Sequence, residues 1–256
     1  MAANLYVQRD QPPGVPPLEL TGERTLPDVP AENYWFQRHL AVYEWIGARV
    51  IGQRVIDMAC GEGYGSEVLS RSASSVLGLD ANPEAYEHAR RRYRRQNLSF
   101  DRGMVESYGE PAAYDAVVFL QTIEHVQDPA GVLRHFRSIL APGGVAYVST
   151  PNVLTLAPPG EPRSGNPWHI REYRADEFDA LCRGEFDNVE VLGLFHARKL
   201  RAHAWALSLG WDRVHAALHV TKPFYDRFTP AIDARDFVLR PRDLDRALDF
   251  LAVCRT

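Results

Sequence analysis

From residue 54 onward, short apolar runs alternate with amphipathic stretches at the spacing of a repeated strand–helix unit. The runs "RVIDMA" (54–59), "SVLGLD" (75–80), "DAVVFLQT" (115–122) and "GVAYVST" (144–150) are almost wholly apolar. A strand without polar alternation is covered on both faces, as in a parallel sheet lying between helices. "LSF" (98–100) predicts a weaker strand between the second and third of these. Helical patterns fill the gaps: one near 64–72, one opened by Pro83, and one over about 129–140. Proline is tolerated in a first helical turn, where its missing N–H has no partner to lose, and "APGG" stops the third of these helices. A helix around 174–183 then leads to a strand in "FDNVEVLGLF" (186–195). "DLDRALDFLAVC" (243–254) gives a helical turn and a last apolar strand.

Three segments break this rhythm. Residues 150–173 are dense in proline and glycine and too long for a simple connection. Residues 196–240, rich in His, Arg and aromatics, predict a helical cap inserted before the last strand. Ahead of the repeat, 18–50 predict a helical flap, and the polar, proline-rich residues 1–17 a flexible leader. Residues 18–256 read as one domain, with no internal repeat.

The length of 256 residues suits one α/β domain of the larger kind. A net charge of -4 argues against sequence-independent nucleic-acid binding, which needs a basic surface. No apolar run approaches the roughly 18 residues that span a bilayer, and the N-terminus lacks a basic-then-apolar export signal. Cys60, Cys182 and Cys254 are far apart and odd in number, which suits neither a disulfide framework nor a zinc pair. The expected setting is cytoplasmic, with no membrane span and an open oligomeric state. Five arginines in "HARRRYRRQ" (88–96) predict a solvated helix face.

The chemistry starts at "VIDMACGEGYG" (55–65), where Gly61, Gly63 and Gly65 alternate behind an apolar run. A P-loop needs Lys-Ser or Lys-Thr after its glycines, and the only lysines are Lys199 and Lys222. The dinucleotide fingerprint G-x-G-x-x-G is also missed, since the third glycine comes one place early. No Y-x-x-x-K accompanies it, so a nicotinamide dehydrogenase is disfavoured. Asp80 ends the next strand 19 residues after Gly61, where a carboxylate accepts ribose hydroxyls. The pattern fits a nucleoside with a tail that is not a phosphate, and S-adenosylmethionine (SAM) has that make-up.

"VIDMACGEGYGSEVLS", "VLGLDANPEAYEHA", "FLQTIEHVQDP" and "LAPGGVAYVSTPN" together resemble the successive motifs of class I SAM-dependent methyltransferases. The resemblance implies a Rossmann-like α/β fold. Its seven-stranded, mostly parallel sheet would have an antiparallel last strand at "ALDFLAVC" and helices on both faces. It implies SAM as cofactor, with backbone at Ala59, Gly61 and Gly63 against the methionine part, Asp57 helping to hold the ammonium, and Asp80 on the ribose. Met104, beside Val105, stands where many members place an aspartate near the adenine, and Gln121 faces the amino-acid end. "ENYWFQRH" (32–39) opens an amphipathic helix that either closes over the cofactor with Tyr34 and Arg38 or is a packing flap. The outer motifs T-G-E-R before the core and N-P-x-H-x-x-E after it resemble methyltransferases of bacterial polysaccharide and glycoside pathways. The similarity is closer to the mycofactocin oligosaccharide methyltransferases and implies an oligosaccharide or small-molecule acceptor methylated on a sugar hydroxyl.

Such a transfer needs an oxygen placed in line with the S–CH3 bond at roughly 3 Å, and a base for its proton. His169 is the first candidate base, with Glu172 three residues on to orient its ring. His125 sits at the same sheet edge. His196, Trp168 and His39 are candidate acceptor contacts. A related quinone-synthesis group carries E-x-x-E-H at 121–125 and binds a divalent cation. Gln121 replaces the first Glu here, so no metal is expected. A quinone, polyketide or amine acceptor, and a non-catalytic SAM-binding protein, stay open as alternatives.

Overall fold

The computed structural model describes residues 11–20, 24–211 and 222–256. Its centre is a sheet of eight strands in the order β3-β2-β1-β4-β5-β8-β6-β7. The strands are β1 (Arg54–Met58), β2 (Ser75–Asp80), β3 (Leu98–Arg102), β4 (Tyr114–Leu120), β5 (Leu140–Pro151), β6 (Asn188–His196), β7 (Phe237–Arg240) and β8 (Asp249–Arg255). The first five run parallel; β8 lies antiparallel to β5, from Val145 opposite Arg255 to Pro151 opposite Asp249. This is the Rossmann-like, mostly parallel sheet that the resemblance implies, with one strand more than expected. The extra strand, β7, was read as part of the cap. It pairs antiparallel with Gly193–His196 of β6, and its four residues are too few to display a strand period.

Helices cover both faces. Ile56 and Met58 of β1 point into a layer with Phe119, Phe136 of α4 (Pro129–Ile139), Phe178 of α6 (Ala175–Arg183) and Phe250. Val55, one residue away, points to the other layer with Val118, Ile46 of α1 (Asn33–Gly47), Leu69 of α2 (Tyr64–Leu69) and Leu251. This is the period-two alternation of a strand buried on both sides. Helix α3 (Pro83–Arg92) is capped by Asn82, whose side chain accepts from the Glu84 and Ala85 amides.

Residues 1–10, the start of the expected leader, lie outside the described residues. The rest of it is packed rather than free, because its proline-rich chain offers carbonyls to α3. Pro16 O accepts from His88 Nδ1 at 2.6 Å, Gly14 O from Arg91, and Gln11 Oε1 from Arg92. Leu18, Leu26 and Val29 close a small cluster of their own beneath this strap. The arginine run is therefore only partly a solvated face. Arg90 and Arg91 pair with Glu87, whereas Arg92 turns inward to Asp28 and the buried Glu62. After β5 come the short α5 (Val153–Leu156) and a long loop. The cap contributes α7 (Arg198–Ser208) and α8 (Lys222–Phe228). Among the described residues no helix is long and apolar enough to cross a membrane.

Candidate active site

The carboxyl ends of β1, β2 and β4 open into a cavity of about 610 Å³, the usual ligand edge of such a sheet. Two non-glycine residues stand there in the left-handed region, Ala59 at φ 57° after β1 and Gln121 at φ 51° after β4. Such backbone costs on the order of 1–3 kcal/mol and is kept where the surroundings hold it. Gln121 is held by Ser149, whose carbonyl and hydroxyl oxygens both accept from its amide at 3.1 Å. Both residues line the cavity.

The glycine turn divides its labour. Gly61, at φ 57°, lines the cavity and donates its N–H to Asp80 Oδ2 at 2.8 Å. Asp80 Oδ1 accepts from the Asn82 amide at 2.9 Å. Each Asp80 oxygen has a further lone pair for a ribose hydroxyl. At the other two glycines the side-chain position is taken by neighbouring elements. Gly63 has φ 97°, and a Cβ there would stand 2.8 Å from Ala89 Cβ on α3. A Cβ on Gly65 would stand 2.1 Å from Tyr43 Cζ. The side-chain position of Gly63 is thus filled by Ala89 of α3 and Phe100 of β3, and Gly63 is not among the residues lining the first cavity.

Asp57 lies beneath the cavity rather than in its wall. It accepts from Ser66 Oγ at 2.6 Å and Tyr43 Oη at 3.2 Å, and burial pushes its carboxyl up to about 7. Met104 is 57% exposed and Val105 packs partly into the core; neither lines the described cavities, because the chain turns outward after β3. Arg38 is not a cavity residue either. It is buried on β8, with Nε and Nη2 on the Asp249 carboxylate at 2.6 and 2.5 Å and Nη2 also on Leu248 O. Tyr34 and His196 bond to each other at 2.8 Å and pack on Phe237, away from both cavities. Burial lowers His196 to about 4. Tyr34 and Arg38 lie on the face of α1 that meets β7 and β8, where His196 at the end of β6 joins them, so the helix packs on the sheet at those positions.

A second cavity of about 340 Å³ adjoins the first and shares Arg24, Thr25, His39, Gln121 and His125 with it. Its own wall includes Trp35, Glu124, Asn166 and His169. The long loop is pinned here, with the Ile170 and Arg171 amides on Glu124 O at 2.9 and 3.1 Å. His169 Nδ1 lies 2.8 Å from Glu172 Oε1, so its N–H donates to the carboxylate and Nε2 keeps the lone pair. Burial pushes Glu172 up, but hydrogen bonds from the Ser164 hydroxyl and amide and from His169 outweigh it and hold the carboxyl below its ordinary value. His125 Nδ1 donates to Trp168 O at 2.9 Å, and its ring centroid is 5.0 Å from that of His169. Trp168 lines the first cavity. His39 faces Thr25 Oγ1 at 3.3 Å, and burial lowers it to about 4, so it is neutral at pH 7.

The expected residues Ala59, Gly61, Asp80, Gln121, His39, His125, His169 and Trp168 thus gather around the joined cavities, with Glu172 behind His169. Four residues were missed. Arg24 and Thr25 lay in view in T-G-E-R-T without a role assigned. Glu62 and His88 are buried together, with Glu62 also accepting from Tyr93 Oη at 2.7 Å; a lone Glu between glycines was the available signal. Glu124, His125 and His169 also bring ligand atoms within 4.8 Å of one another, a convergence not legible from 121–125 alone because His169 arrives on a different loop.

The methyltransferase domain family matches residues 29–206. A Mycobacterium tuberculosis protein named a probable S-adenosylmethionine-dependent methyltransferase is 35% identical over 92% of this chain and 89% of its own. A ubiquinone biosynthesis O-methyltransferase of Xanthomonas campestris pv. campestris is 35% identical over 43% of this chain and 48% of its own. A SAM-dependent methyltransferase structure from Thermotoga maritima superposes with a TM-score of 0.59 at 15% identity, covering 87% of this chain and 93% of that one; at that identity the likeness is one of fold. With strained strand ends and an Asp80-stapled turn bordering a cavity at the sheet edge, the chain belongs to the class I SAM-dependent methyltransferases and is an enzyme of that family, with SAM as its cofactor.

Proposed function

We propose that the enzyme methylates a hydroxyl of a sugar, oligosaccharide or glycoside. The observation that carries this reading is the second cavity, which opens on the first at His39, Gln121 and His125. Its wall carries several hydrogen-bonding side chains, among them Asn166, Gln121 and three histidines, and two exposed indoles flank the pair, Trp35 (41%) and Trp168 (63%). A flat apolar face beside several hydrogen-bonding groups suits a polyhydroxylated ring, which has an apolar C–H face and a polar rim.

The bound cofactor supplies a sulfonium methyl group, already a strong electrophile. The protein's tasks are placement and proton removal. Asp80 and the Gly61 turn would hold the adenosyl part, and the wall shared by the two cavities would hold the acceptor hydroxyl. His169 Nε2 takes the hydroxyl proton, while Glu172 keeps Nδ1–H in place and stabilises the imidazolium as it forms. A base of this kind contributes on the order of 10²–10⁴-fold. A second reading rests on the convergence of Glu124, His125 and His169. A divalent cation held there would acidify the hydroxyl and leave no base role for His169.

The test is methyl transfer from labelled SAM to a panel of glycans, glycosides and phenols, read by mass spectrometry. Methylation confined to phenols or quinones would replace the sugar reading. His169→Ala should reduce turnover by about 10²–10⁴-fold with S-adenosylhomocysteine affinity unchanged. Activity that survives EDTA supports the base, whereas loss with EDTA and recovery with added cation supports the second reading.

A further inference from the structure

We infer that Arg24 holds the carboxylate at the amino-acid end of the cofactor, an inference that rests on the SAM assignment. The side chain lies along the glycine turn: its Cγ and Nε are 3.8 and 4.0 Å from where a Cβ on Gly61 would be. It lines both cavities at their junction. Among the described residues, Arg24 has no hydrogen-bonded or ion-paired partner. The contrast with its neighbours is sharp. Arg38 is consumed by Asp249, and Arg92 by Asp28 and Glu62. A half-buried guanidinium without an acceptor is costly to desolvate and is completed by an anion.

The cavity fixes which anion. Asp80 and Arg24 both border Gly61, so a nucleoside whose ribose is held by Asp80 would bring its tail within reach of Arg24. That tail carries a carboxylate, and the planar five-donor fork of arginine matches a carboxylate in bidentate fashion. The acidic groups that line the cavity are already engaged by other partners. Asp80 is bound to backbone amides, and Glu62 is enclosed by Tyr93, His88 and Arg92.

The placement of Arg24 is built into the strap. Thr25, the next residue, shares a 2.8 Å hydrogen bond with Tyr64 Oη and faces His39; Leu26 is buried with Leu18 and Val29; and Asp28 is clamped by Arg92. The strap is thus anchored on α1, α2 and α3, and it presents the guanidinium over the turn. Arg38, the arginine the sequence pointed to, lies under a different face of α1 and cannot take this role while paired with Asp249.

The test uses two ligands that differ in the tail. S-adenosylhomocysteine carries the amino-acid end, and 5′-methylthioadenosine lacks it. By calorimetry on the full chain, Arg24→Gln should weaken S-adenosylhomocysteine about tenfold or more and leave methylthioadenosine affinity unchanged. Arg24→Lys should recover part of the loss, since a point charge replaces a fork. Having no partner to lose among the described residues, Arg24→Gln should melt with the wild type. Equal weakening of both ligands would overturn the inference, as would unchanged S-adenosylhomocysteine affinity with a raised KM for the acceptor. Failure of the wild type to bind either ligand would instead overturn the cofactor assignment, and the role of Arg24 with it.

Discussion

Arg38→Met isolates the link between the flap helix and the last strand. In the wild type Arg38 is 5% exposed and Asp249 2%, joined by two hydrogen bonds of 2.6 and 2.5 Å. A third bond, at 2.9 Å, runs to Leu248 O. Methionine keeps much of the side-chain volume but leaves a buried carboxylate with no counter-charge. Removing one partner of such a pair costs about 3–5 kcal/mol, chiefly the stranded charge. The variant should therefore show a large fall in its urea midpoint at an unchanged slope. Arg38→Met/Asp249→Leu removes both charges and should regain most of that loss. Below its melting temperature, Arg38→Met should bind S-adenosylhomocysteine within about twofold of wild type, because the guanidinium does not line the cavity. Wild-type stability combined with lost cofactor affinity would refute this reasoning and return Arg38 to the cofactor site.

Gly65→Ala places a Cβ 2.1 Å from the Tyr43 ring and should cost about 1–3 kcal/mol in denaturant unfolding; wild-type stability would show that α1 and α2 are not tightly packed there. Asp57 keeps its proton to about pH 7 in the folded protein, whereas the unfolded chain releases it near 4. Between those values the folded state binds more protons, so the stability contributed by Asp57 falls as pH rises, by on the order of 4 kcal/mol in full. Asp57→Asn should remove that fall when unfolding is compared at pH 5 and pH 8, and parallel curves for the two proteins would contradict it. Asp80→Ala should weaken S-adenosylhomocysteine and methylthioadenosine alike, by at least about tenfold, since both carry the ribose; a loss for one alone would place the ribose elsewhere.

The sheet was legible because β1, β2, β4 and β5 are buried on both faces, and continuous apolar runs record that directly. The i,i+3 spacing of His169 and Glu172 was also readable as a pairing, and the two stand at 2.8 Å. What failed did so for identifiable reasons. The three glycines look equivalent in a string, yet only the fold reveals that Gly63 and Gly65 answer to Ala89 and the Tyr43 ring. Arg38 and Arg24 are both arginines ahead of the core, and the choice between them depends on Asp249, 211 residues along the chain. Such long-range pairings leave no local pattern. The approach of His169 to His125 likewise depends on Glu124 O catching two amides of a loop whose composition predicts only irregular chain.

Strand β7 bears on how this enzyme could acquire new acceptors. The cap segment ends as four residues of the central sheet, covering the edge of β6 at Gly193–His196. The insert is therefore not a detachable module. Trimming it would bare unpaired amides and carbonyls beside an apolar strand, a template for sticking to other chains. Variation that preserves solubility is channelled into the body of the insert, while its closing tetrapeptide must travel with the scaffold.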